Sequence, residues 1–89
     1  MSFCGSAISD PSLQSIGLHL LSLEHLSVRG CVRVTGVGVE AVSEGCHQLQ
    51  SFDVSQCKNL LPWLEDGSHM RYQPRIYFEI VASNGRVFR

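Results

Sequence analysis

A period of 26 residues constrains this chain more than any other feature. Apolar residues recur at that spacing in an unbroken run. Ile8 pairs with Val34, Leu13 with Val39, Ile16 with Val42, Leu20 with Cys46, Leu23 with Leu49, Leu26 with Phe52, Val28 with Val54, Cys31 with Cys57 and Val34 with Leu60. Hydrophobic residues make up 44% of the chain, so a partner drawn at random would be apolar less than half the time, and a run this complete is not chance. A fixed period of roughly 20–50 residues marks an architecture of stacked units.

Each unit has the same internal order. Leu23-x-x-Leu26-x-Val28-x-x-Cys31 alternates apolar and polar residues at its centre, which predicts a short half-buried strand, and Leu49-x-x-Phe52-x-Val54-x-x-Cys57 repeats it. Val34 follows, then Thr35 or Gly36 as a helix cap, then Val39, Val42 and Cys46 at helical spacings of three and four. Gly45 is placed to end that helix in the left-handed conformation. The first unit offers Asp10 as N-cap, Pro11 at the first helical position and an apolar stripe of Leu13, Ile16 and Leu20. The expected unit is therefore one strand, a turn and one short helix. No unit of this kind can bury its own apolar face. Stacking makes a shared core, to which each fully buried Leu, Val or Phe contributes roughly 1.5–3 kcal/mol. The expected fold class is α/β, with a parallel sheet on one side and helices on the other. Residues 1–60 form about two and a half units, and residues 61–89 form a cap. With only two complete units, the chain reads as a fragment of a longer stack or a truncated gene product.

Charge and size narrow the function. Formal net charge over the 89 residues is −1, which gives no global attraction to nucleic acid or anionic membrane. Residues 1–70 carry three basic and seven acidic residues, whereas residues 71–89 carry four arginines and one glutamate. No stretch has the ~20 apolar residues that a membrane helix needs. Met1-Ser2-Phe3-Cys4 has no basic segment leading into an apolar run, so no signal peptide is expected. The four cysteines are then expected as reduced thiols in an intracellular protein, cytoplasmic or nuclear.

The run Leu23 to Cys46 resembles the cysteine-containing class of leucine-rich repeat, whose pattern is close to C-x-x-L-x-x-L-x-L-x-x-C-x-x-I-T-D-x-G-L-x-x-L-a-x-x-C. Ile8-Ser9-Asp10 and Val34-Thr35-Gly36 fall on its I-T-D position, with Gly36 in place of the usual Asp. Pro62-Trp63-Leu64 and the later Phe78-Glu79-x-Val81-Ala82-x-Asn84-Gly85-Arg86 run resemble the C-terminal end of fungal F-box and leucine-rich-repeat proteins of the antagonist-of-mitotic-exit type. That resemblance implies a right-handed β-α solenoid. It also implies a protein-binding role as the substrate-recognition end of an SCF ubiquitin-ligase adaptor. The partners would be a protein target and, through regions outside this chain, the ligase scaffold; neither nucleic acid nor membrane is implied. A purely structural role, capping a longer repeat protein, is the alternative.

The candidate working surface is the outward face of the strands. Residues between core positions point there: His25, Ser27 and Arg29 from one unit, Ser51, Asp53, Ser55 and Gln56 from the next, and Phe3 from the first. Stacking sets His25 beside Ser51, Ser27 beside Asp53 and Arg29 beside Ser55, on strands about 4.8 Å apart. Arg29 could bind a carboxylate or phosphate, or pair with Asp53. Cys31, Cys46 and Cys57 are expected as buried structural thiols donating to loop carbonyls. A zinc site from Cys31, Cys46, His47 and Cys57 is the sharper alternative, but the spacing matches no common zinc pattern. Adjacent Cys46-His47 does not place a base for a thiol nucleophile, and Gly36-Val37-Gly38-Val39-Glu40-Ala41 lacks the third glycine of a dinucleotide fingerprint. Neither catalytic residues nor a metal or cofactor are expected.

Beyond Leu60 the apolar pattern fades. Pro62 is expected to interrupt the next helix, with Trp63 and Leu64 folding over the last unit and 65–69 forming a loop. Ile76 to Val81 is β-branched and aromatic, hence a strand, and Asn84-Gly85 would turn it into a hairpin with Val87-Phe88. This terminal element is expected to cover the open edge of the last unit.

Overall fold

The computed structural model describes residues 8–73 and 75–81. Phe3, Cys4, the Asn84-Gly85 turn and Val87-Phe88 lie outside the described residues.

The chain is a mixed α/β structure. In order it forms α1 (Asp10–His19), β1 (His25–Ser27), α2 (Gly36–Gly45), β2 (Ser51–Asp53), a 3-10 turn at Lys58–Leu60, α3 (Leu61–Glu65), a second 3-10 stretch at Ser68–Tyr72 and β3 (Tyr77–Glu79). The three strands make one parallel sheet in the order β1-β2-β3. Leu26, Phe52 and Phe78 lie in one register row, so the 26-residue spacing continues into the third strand. The backbone bonds repeat with the same period. Val28 N–H donates to the Asp53 carbonyl (2.8 Å) and Val54 N–H to that of Glu79 (3.0 Å). Gly30 N–H donates to Ser55 (2.9 Å) and Gln56 N–H to Val81 (2.8 Å).

Inward residues of strands and helices meet in a single core. Leu26, Phe52 and Phe78 form one buried row, and Val28, Val54 and Ile80 form the next. Leu13, Val39 and Val42 close it from the helices, and Val34 and Leu60 seal the turns. The pleat explains this: alternate strand residues face the helices, and only apolar side chains gain by leaving water there.

Three expectations are corrected. Asp10 does not cap its own helix. It is the first residue of α1, with Ser9 as the N-cap. Its carboxylate instead caps α2: Oδ1 accepts the Thr35 N–H (2.8 Å) and the Gly38 N–H (3.2 Å), and Oδ2 accepts the Thr35 hydroxyl. The side chain thus joins neighbouring units by satisfying helix donors that lack a partner within α2.

Gly45 is the last residue of α2, and the left-handed glycines are Gly30 and Gly67. What Gly45 supplies is closeness, since a Cβ there would collide with the carbonyl of Gly17 on α1. Pro62 does not break the third helix; it sits in the first turn of α3, where its missing N–H costs nothing. The strand expected within Ile76–Val81 is present as Tyr77–Glu79, and it joins the parallel sheet beside β2. The strand is the next rung of the same ladder and covers the open edge of β2.

The third layer is built differently from the first two. Trp63, His69 and Tyr72 gather around Phe78. Ring centroids lie 6.2 Å apart for Trp63–Phe78, 6.4 Å for His69–Phe78 and 6.4 Å for Tyr72–Phe78. Trp63 donates its indole N–H to Glu40 (2.8 Å), Tyr72 its hydroxyl to Glu44 (2.7 Å), and Arg75 its guanidinium to the Ser43 carbonyl (2.6 Å). All three acceptors lie on α2, so α3 and the following stretch close over it, and Leu64 is buried as expected.

Candidate functional site

Each strand is only three residues long, with its central residue buried and its outer two turned away from the helices. The register stacks those outer residues in two rows: His25, Ser51 and Tyr77 in one, Ser27, Asp53 and Glu79 in the other. The His25–Ser51 and Ser27–Asp53 neighbours match the expected ladder. Together with Arg29 these side chains line a shallow groove of about 440 Å³ across all three strands.

The groove is held by short polar contacts. His25 Nδ1 and the Ser51 hydroxyl share a hydrogen bond of 2.6 Å. Asp53 Oδ1 accepts the Ser55 N–H at 3.0 Å, which orients the carboxylate. Its Oδ2 lies 3.6 Å from Arg29 Nη1, with Arg29 about half exposed. The Tyr77 hydroxyl donates to Glu79 Oε2 at 3.2 Å. An exposed pair such as Arg29–Asp53 contributes roughly 0–1 kcal/mol, so it arranges the surface more than it stabilises the fold.

Two expected face residues belong elsewhere. Ser55 is fully buried. Its hydroxyl donates to the Glu79 carbonyl (3.1 Å) and accepts the Val81 N–H (3.0 Å), stitching the end of β2 to β3. The reason is that β2 ends at Asp53 and the alternation of strand faces ends with it. Gln56 lies in the following turn at φ 63°, the left-handed position that Gly30 occupies at φ 77° one unit earlier. Conversely, Tyr77 and Glu79 stand on the face and were not among the expected residues. Adding 26 to Ser51 and Asp53 would have found them, but Arg75 replaces the apolar residue that Leu49 supplies, which hides the start of the third unit.

The cysteines are packing residues. Cys31, Cys46 and Cys57 are buried and free of disulfides. The Cys46 thiol donates to the Leu20 carbonyl (3.3 Å) and the Cys57 thiol to that of Val28 (3.1 Å), each reaching back to the preceding unit. Burial raises the pKa of Cys46 and pushes Cys57 up to about 11, so both stay protonated as donors at neutral pH. Among the described residues, no group of three or more His, Cys, Asp or Glu side chains is placed to hold a metal ion. The glycine-rich start of α2 is occupied too: the Asp10 carboxylate fills the place where a phosphate would sit. No helix among the described residues is long and apolar enough to cross a membrane.

The chain matches no protein-family model, and no solved structure matches it.

Proposed function

We propose that the chain is a leucine-rich-repeat module that binds a target protein on its sheet face, as the substrate-recognising end of an F-box adaptor of an SCF ubiquitin ligase. The observation that carries this reading is the unbroken register His25–Ser51–Tyr77 and Ser27–Asp53–Glu79. It presents a rigid polar face whose residues serve no core. The mechanism is recruitment. The face holds a target while regions outside this chain dock the ligase. Rigid elements suit this task because little conformational entropy is lost on binding. The Cys46 and Cys57 thiol bonds between units support the repeat-class reading, because they give those cysteines a structural duty in each unit.

The test places a photo-crosslinking residue at Ser27 or Tyr77 on the face, and at Gln14 on the helix side as a control. The expected result is one protein captured from both face positions and not from Gln14, with its ubiquitylation falling when the chain is removed. Equal capture from Gln14 would defeat the face assignment. Unchanged ubiquitylation would defeat the ligase role.

A structural reading has its own support. The aromatic cluster of Trp63, His69, Tyr72 and Phe78 closes over α2 in place of another long helix. A segment built so would serve to finish a stack whose binding units lie elsewhere.

A further inference from the structure

The groove across the sheet is electrically lopsided. Arg29 supplies a cation on the β1 side, and Asp53 and Glu79 supply carboxylates on β2 and β3. Asp53 and Glu79 are register partners on adjacent strands, where directly opposed like charges repel. Arg29 relieves this only in part. It approaches Asp53 from the far side at 3.6 Å, beyond hydrogen-bond length, and both side chains remain in contact with solvent. A pair that weak is easily exchanged for a better-placed cation.

The β3 side has the shape for such a cation. Tyr77 is 54% exposed, and its hydroxyl bonds the Glu79 carboxylate at 3.2 Å, which holds the aromatic ring next to the acid. A long basic side chain can lay its methylene stem along an aromatic ring while its charged head reaches a carboxylate. An acidic partner would instead meet two carboxylates and find Arg29 already turned toward one of them.

We infer that the groove recognises a lysine or arginine presented by the partner protein, with Glu79 and Asp53 as acceptors and Tyr77 as the wall for its stem. This inference rests on the reading of the sheet face as a protein-binding surface. It adds the chemistry of the partner. The bound cation bridges the two opposed carboxylates and frees Arg29 to face outward at the edge of the contact.

The experiment titrates the isotope-labelled chain with three short capped peptides, identical except for a central arginine, citrulline or glutamate, and follows backbone amide shifts. Support is at least tenfold tighter binding of the arginine peptide than of the citrulline peptide, with shifts centred on 51–53 and 77–79. That preference should disappear in Glu79→Gln and shrink several-fold in Tyr77→Phe, both exposed changes whose folding the same spectra verify. Equal binding of arginine and citrulline peptides on the face overturns the cation preference and leaves the binding face standing. Tighter binding of the glutamate peptide does the same. Shifts confined to α1 and α2 overturn both readings, and the absence of binding by any peptide overturns the cation preference.

Discussion

The joint between the first two units and the joint between the second and third share a strand ladder and differ in almost everything else. At the first joint, α1 and α2 lie close because Gly17 and Gly45 leave no side chain between them. Asp10 reaches across to cap α2, and the Cys46 thiol bonds back to Leu20. At the second joint, the residue equivalent to Asp10 is Gly36, and the Trp63 ring occupies the space where its side chain would stand. The five-residue α3 replaces a ten-residue helix, and aromatic and glutamate contacts replace the carboxylate cap. Yet Phe78 stacks on Phe52 at 6.0 Å as regularly as Phe52 stands beside Leu26. The strand layer is set by backbone bonding at a constant spacing, so it tolerates change in the helix layer. The helix layer must fill a volume and satisfy its polar groups, and it does so in more than one way.

The largest effect should come from the ladder that both joints share. Leu26→Asp buries an unpaired carboxylate in the common core, so the chain is expected to lose its folded circular-dichroism and amide spectra altogether. A folded Leu26→Asp protein would show that the two joints do not depend on one core. Next is the exchange of one joint's chemistry for the other's. Gly36→Asp restores the residue found at the first joint, and it should destabilise by about 1–3 kcal/mol in urea melts because Trp63 fills that space. In a Trp63→Ala background the same change should cost much less. Additive effects would break the account of why the joints differ.

Asp10→Ala removes the cap that only the first joint has. About 1–2 kcal/mol of stability should be lost, with hydrogen exchange accelerating first at the start of α2. The second joint alone carries a buried imidazole. Burial lowers the pKa of His69 below its ordinary 6.5, so the unfolded chain binds a proton that the folded chain does not. This stability is fully present above pH about 6.5 and is lost as pH falls from there through the lowered folded value. The loss is at most about 1.4 kcal/mol per pH unit for one proton. Urea melts of His69→Phe should show a flatter profile over that range, and an unchanged slope would assign it to another group.

The smallest effect concerns the turns that follow the strands. Gly30 takes the left-handed conformation freely, whereas Gln56 takes it against its Cβ. Gln56→Gly should therefore raise stability by about 1 kcal/mol. A loss instead would mean that the Gln56 side chain contributes more than its backbone strain costs.

Much of the strand layer is legible in the sequence. Pairing at 26 residues named His25 with Ser51, Leu26 with Phe52 and Ser27 with Asp53, and each pair is a register pair in the sheet. The burial of the cysteines and their donation to backbone carbonyls follow from the same grammar, whereas the particular acceptors, Leu20 and Val28 of the preceding unit, do not. The third strand is legible as a strand but not as the next rung. Its apolar pattern is interrupted at Arg75, whose guanidinium has gone to the Ser43 carbonyl instead of into the core. For the same reason the apolar pattern does not point to Tyr77 and Glu79 on the face, while simple alternation sets Ser55 there although its hydroxyl serves the backbone of β3.

The sequence by itself determined the period, the apolar positions and the α/β alternation. These depend on distances along the chain, and parallel strands joined by connections of equal length must stack in equal register. Only the tertiary structure decided that Asp10 caps its neighbour's helix, that Gly36 makes room for Trp63, and that Gly45 lies against the carbonyl of Gly17. Those facts concern which side chains share a volume after folding. Residues 25–28 positions apart meet there through packing, and the period alone does not say which side chain fills which space.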